Sequence, residues 1–231
     1  MGAVVIRKRR SAFLAILAAA LLAPVGIAGS AGAVSGAEVE TPIDEKATIA
    51  EYAKEPGFVE RIAAIQEGVN IGHLSQADQE WLADRPGANL LVVDPAATTD
   101  GTLTQPLTLT YQNPGPLATT CRATDRYSNW YSIPPRALVY RYHTRANFCF
   151  TGTSVSVSNN YGYFSDVSSI YAVVNANLVN SVNPVGSSKQ VHTQGQISQC
   201  IIQPNIGCQN FYPWGRVTIS PTGNVSFTSG E

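Results

Sequence analysis

Four cysteines constrain this chain more than any other feature. Cys121, Cys149, Cys200 and Cys208 all lie in its second half, far behind a basic and then apolar N-terminal stretch. Arg7, Lys8, Arg9 and Arg10 form the basic part, and residues 11–29 carry no charge. Ala31-Gly32-Ala33 then offers small residues before a cleavage point. That layout is a secretory signal peptide, so residues 1–33 are expected to be removed after Ala33, with Ser35-Gly36-Ala37 the second choice. An uncleaved anchor is the competing reading, and Pro24, Gly26 and Gly29 favour removal over it. The product is expected to be secreted, extracellular and without a stable membrane span. Thiols in an exported chain pair as disulfides. Of the three possible connectivities, Cys121–Cys149 with Cys200–Cys208 is expected, because each joins neighbours in sequence. A four-cysteine zinc site lacks the close C-x2-C spacing it would need.

Composition narrows the rest. The 231 residues are 44% hydrophobic, which excludes a disordered chain. Fifteen basic and 16 acidic side chains leave a formal charge of −1, and a nucleic-acid binder would need a clear basic excess. The near-zero total hides an asymmetry. Between Glu38 and Arg85 there are eleven acids and four bases, a net −7, whereas from Asn113 onward three acids face seven bases, a net +4.

The acidic part, residues 34–94, reads as helical. Phe58, Ile62, Ile65 and Val69 make one apolar stripe at helical spacing. Ser75, with Asp78 three residues on, opens a further helix, and Arg85-Pro86-Gly87 closes it. Leu90 to Val93 reads as a short strand. Residues 95–112, poor in anything to bury, read as a linker. Residues 113–231 read as seven or eight short strands without a helix pattern. Val155 and Val157 alternate with serines, and Asn159-Asn160, Pro184 to Gly186, Pro204-Asn205 and Pro221 to Gly223 read as turns. The expected fold is mainly β, an antiparallel sandwich or small barrel with two disulfides, preceded by a short helical segment.

Two stretches carry a resemblance. One is Arg136 to Arg145 leading into Phe148-Cys149-Phe150-Thr151-Gly152. The other runs from Gln196 through Cys200 and Cys208 to Tyr212-Pro213-Trp214 and the Gly223 turn. Over residues 136–230 the chain resembles a loose, uncharacterised group of small secreted actinobacterial proteins. These combine an aromatic-Cys-aromatic-x-Gly strand with a C-terminal Cys…Cys…Pro-Trp hairpin. Phe148 stands where the group often has Trp. The resemblance implies a disulfide-linked β-fold and supplies no activity.

No catalytic motif emerges. Gly152-Thr-Ser154-Val-Ser156 lacks the second glycine of a nucleophile elbow. His143 reads as a surface or packing histidine. Asp125, Asp166 and Glu231 are the only carboxyls from Asn113 onward, and Asp166 reads as a turn residue. No His-x-x-x-His pair, calcium loop or phosphate loop is present, so no metal, no cofactor and no catalytic residue is predicted. Aromatic residues cluster instead in segments read as loops, beside Asn129, Asn159, Asn160 and Asn210. Trp130, Tyr131, Tyr161, Tyr163 and Trp214 are the expected ligand contacts, although each ring could instead fill a core.

Three functional expectations follow. The first is a secreted binding protein for a surface or environmental ligand such as a glycan. The second is a proprotein whose acidic helical segment contacts the basic β-domain and is cut away to release a toxin-like or inhibitor-like product. The third is a secreted hydrolase with an unfamiliar site, which needs His143 or His192 within hydrogen-bond reach of Asp166. The balance of residues leans away from an enzyme.

Overall fold

A computed structural model describes residues 44–103, 119–133, 136–203 and 206–231, with the side chains of 202, 203, 206 and 207 left aside. The expected signal peptide and its expected cleavage sites, residues 104–112 of the expected linker and the expected Pro204-Asn205 turn lie outside the described residues. Three helices come first: α1 (Glu45–Tyr52), α2 (Phe58–Asn70) and α3 (Gln76–Ala83). A 3-10 turn at Ala88–Leu91 leads into nine strands. These are β1 (Val93–Thr102), β2 (Thr120–Ser132), β3 (Leu138–Phe150), β4 (Val155–Ser165) and β5 (Tyr171–Val185), then β6 (Ser188–Gln203), β7 (Ile206–Phe211), β8 (Trp214–Ile219) and β9 (Val225–Gly230).

The helices form where the sequence places them. Asp44 caps α1 through the Ala47 amide at 3.2 Å, and the Ser75 hydroxyl accepts from the Asp78 amide at 3.1 Å to open α3. The predicted stripe of α2 is buried throughout, from Phe58 to Val69. None of the described helices is long and apolar enough to cross a membrane.

Two antiparallel sheets make the body. One has the order β1-β2-β3-β4; the other has β5-β6-β8-β9, with β7 also on β6. Both expected disulfides are present. Cys121 faces Cys149 across β2 and β3, with Cα atoms 4.0 Å apart, and Cys200 faces Cys208 across β6 and β7 at 4.1 Å. Each pair is directly opposed in its antiparallel register, which brings the two side chains within bonding reach.

Along β3, Tyr140, Tyr142, Thr144, Ala146 and Phe148 are all buried and face the second sheet. Thr144 and Thr193 bridge the two sheets through their hydroxyls at 2.7 Å. Beyond them Phe148, Val191, Val217 and Ile219 fill one end of the sandwich. At the other end Trp130, Tyr140, Tyr171 and Ile197 share a core with Phe58, Ile62, Ile65 and Leu91. Asparagines close the seam between the two sheets: the Asn177 amide donates to Gly162 O at 3.0 Å and accepts from Gly162 N at 2.6 Å. Asn180 donates to Asn160 O at 2.9 Å.

Several expectations are corrected. Residues 95–102 are strand β1, paired with β2, and not linker. Leu90 and Leu91 belong to the 3-10 turn. Asn159-Asn160 lies inside β4, where Asn159 pairs with Asn147. The aromatic groups at 127–131 and 161–164 lie on β2 and β4 rather than in loops. The helical segment is also no separate appendage, since its apolar stripe belongs to the same core as Trp130 and Tyr140. It meets the sheets through apolar packing and a few hydrogen bonds, such as Ser168 Oγ to Glu45 Oε2 at 3.0 Å. Among the described residues each ion pair stays within its own half, as Arg85–Glu55 and Arg141–Asp166 do.

Candidate functional site on the outer face of the first sheet

Side chains on a strand alternate between faces. With Tyr140, Tyr142 and Thr144 turned to the core, Arg141, His143 and Arg145 turn outward. Register then assembles three rows across the sheet. Asn129, Arg141 and Ser165 form one row; Tyr127, His143 and Tyr163 the next; Asp125, Arg145 and Tyr161 the third.

The middle row is aromatic. The His143 ring stacks on Tyr163 with centroids 4.1 Å apart, and Tyr127 lies 5.1 Å away on the other side. Tyr127 can lie flat because its neighbour on β1 is Gly101, where a Cβ would sit 2.3 Å from the Tyr127 ring. These walls leave His143 only 2% exposed, although it is on the outer face.

Asp125 anchors the polar network. Its Oδ1 lies 3.1 Å from His143 Nδ1, and its Oδ2 accepts from the Tyr163 hydroxyl at 2.7 Å. Burial pushes the Tyr163 hydroxyl well above its ordinary range, and the bond to Asp125 adds to the effect. Tyr163 is therefore a fixed donor at any physiological pH. On the far side of the imidazole, His143 Nε2 lies 2.9 Å from Ser165 Oγ. Ser165 also reaches Asp166 Oδ2 at 2.8 Å. Arg141 spans the row, donating from Nε to Asn129 and from Nη1 to Asp166, each at 2.8 Å. Asp166 has a positive φ of 50°, which Asp tolerates better than most residues.

Beside Asp125 a cleft of about 500 Å³ opens, lined by Thr102, Leu103, Ala123, Thr124, Asp125, Arg145 and Tyr163. It offers a carboxylate, a guanidinium, two hydroxyl side chains and a tyrosine within one concavity. Among the described residues no group of three or more His, Cys, Asp or Glu side chains is placed to hold a metal ion.

The five expected ligand contacts scatter. Tyr163 lines the cleft, and Tyr161 lies beside it with ring centroids 5.9 Å apart. Trp130 is a correction: it is 1% exposed, stacked near Tyr140 in the core, with its indole N–H donated to Ser128 at 3.2 Å. Tyr131 sits at the end of β2, paired with Asp94. Trp214 lies on the other sheet, beneath the Arg216 guanidinium. Asp125, Arg145 and Ser165 were missed as a group. Their signal was the period-two pattern Asp125-x-Tyr127-x-Asn129 facing Arg141-x-His143-x-Arg145, legible only once residues 120–132 are recognised as a strand.

Comparison with protein-family models, with curated proteins and with solved structures finds no match.

Proposed function

We propose that the protein works outside the cell as a binding protein, and that the cleft beside Asp125 takes a polyhydroxylated ligand such as a surface or environmental glycan. The observation that carries this reading is the convergence of Asp125, Arg145 and Tyr163 on one open concavity. A carboxylate and a guanidinium bond several hydroxyls at once. An aromatic ring with a polar tip gives a sugar an apolar surface and, with its proton held by Asp125, an acceptor oxygen. Binding sites of this kind combine a preformed concave surface with a few convergent polar groups. Two disulfides suit an exported role.

The proprotein reading draws less support. Cutting within residues 95–102 would sever a strand, and removing the helices would strip Phe58, Ile62 and Ile65 from the shared core.

Retention on insoluble chitin, cellulose, peptidoglycan and xylan tests the proposal. Retention on one of them, lost in Arg145→Ala with the fold intact by circular dichroism, is the expected result. Absence of retention on all four removes the glycan reading.

A further inference from the structure

The network around His143 has an order that ligand binding does not require. A carboxylate meets Nδ1 of the imidazole at 3.1 Å, and a serine hydroxyl meets Nε2 at 2.9 Å. This is the arrangement by which hydrolases on unrelated folds activate a serine; it is recognised by geometry and roles, not by position in the chain. We propose that Ser165 is a nucleophile served by His143 as general base, and that the protein cleaves a short acyl ester on a hydrophilic carrier. The proposal does not depend on the cleft being a ligand site.

Each part is held in place. Asp125 is fixed by the Tyr163 hydroxyl as well as by His143. The imidazole is clamped between Tyr127 and Tyr163 and cannot turn away from Ser165. Ser165 ends β4, immediately before the turn at Asp166, and is less buried than His143. Arg141, its register partner, lays a guanidinium alongside, where charge on an acyl oxygen would develop. Arg141, Asn129 and Asp166 make the surroundings polar, which fits a small hydrophilic ester better than a lipid.

Ser165 has one hydroxyl proton and two acceptors, Asp166 Oδ2 and His143 Nε2. With the proton on Asp166 the serine is idle. With it directed to a neutral His143, Oγ attacks the ester carbonyl carbon and the proton passes to Nε2. The tetrahedral adduct collapses as the C–O bond to the alcohol breaks, and His143 returns the proton to the departing oxygen. Water then attacks the acyl-serine, gives a proton to His143, and releases the acid as Ser165 recovers its own proton.

The test treats the full exported protein with a fluorophosphonate and reads intact mass. A bond from Ser165 Oγ to phosphorus forms and fluoride leaves. One adduct, mapped to Ser165 and absent in Ser165→Ala, is expected. Asp125→Asn should slow labelling at least about 100-fold. Asp166→Asn leaves the Asp125–His143 pair in place and replaces a charged competitor for the proton by a weaker, neutral acceptor, so labelling should accelerate severalfold. p-Nitrophenyl acetate should turn over with wild type and not with Ser165→Ala. Absence of an adduct at Ser165, labelling unchanged by Asp125→Asn, or an adduct without ester turnover would each overturn the proposal. Glycan retention is read separately, so loss of either property leaves the other interpretable.

Discussion

Gln66 holds both backbone polar groups of Val93: its Oε1 accepts from Val93 N at 2.9 Å and its Nε2 donates to Val93 O at 3.1 Å. Val93 is in register with Ser132 on β2, and one buried amide on α2 serves its backbone N–H and carbonyl in place of a further strand at the edge of the sheet. Gln66 is 1% exposed and Val93 fully buried, so water cannot substitute. Replacing Gln66 by Leu would leave a buried N–H and a buried carbonyl unpaired. The expected loss is about 2–6 kcal/mol, at about 1–3 per unsatisfied group, read as a lower midpoint in urea unfolding.

The same contact predicts how the halves behave when separated. A fragment covering residues 113–231 lacks β1, the 3-10 turn and the stripe of α2. Trp130, Tyr140, Tyr171 and Ile197 then lose the side chains that cover them. The fragment should keep β-type circular dichroism yet bind a hydrophobic dye and unfold without a sharp transition. A sharp transition at the full-length midpoint would mean that the helices contribute nothing to the fold.

The two disulfides should differ in worth. Cys121–Cys149 spans 28 positions and Cys200–Cys208 only 8. On the chain-entropy model their removal by paired Ser substitutions costs about 3.5 and about 2.5 kcal/mol. Denaturant unfolding of the two double variants checks both the order and the gap.

Tyr140 carries a buried hydroxyl without a hydrogen-bond partner among the described residues. Burial pushes its titration well up, so the group stays neutral and unsatisfied. Tyr140→Phe removes the hydroxyl and leaves the ring contacts with Trp130, Phe164 and Tyr171. Stability should rise by about 1 kcal/mol, measurable as a higher melting temperature.

His192 titrates below its ordinary value because of burial and then because of Arg216, its register partner on β8. A lowered histidine value means that the unfolded chain takes up the proton first as pH falls. The stability His192 contributes is present above the unfolded value and is lost on acidification toward the lower folded one. Arg216→Gln should move the titration upward, as read from the imidazole carbon-bound protons by NMR.

Legibility in the sequence followed burial contrast. The stripe Phe58, Ile62, Ile65 and Val69 and the alternation at Val155 and Val157 were readable, because one face is apolar and the other polar. β2 escaped because its core positions include Ser128 and Ser132, and its outer face carries Asp125, Tyr127 and Asn129. Small buried serines beside a polar outer face erase the period-two contrast. β1 escaped for a related reason, being built from Pro, Ala, Thr and Asp. Trp130 was read as a surface ring because its neighbours are polar; in a strand those neighbours simply face the other way. The candidate site crosses three strands, and no local motif could reveal it.

The cleft on the first sheet is tested most directly by an NMR titration of the purified protein with soluble chitin, cellulose and xylan tetrasaccharides. Saturable shifts centred on Thr102, Thr124, Asp125, Arg145 and Tyr163 with one of these sugars, abolished in Arg145→Ala, are predicted. Shifts centred on Trp214 and Arg216 of the opposite sheet, or none with any of the three, would contradict it.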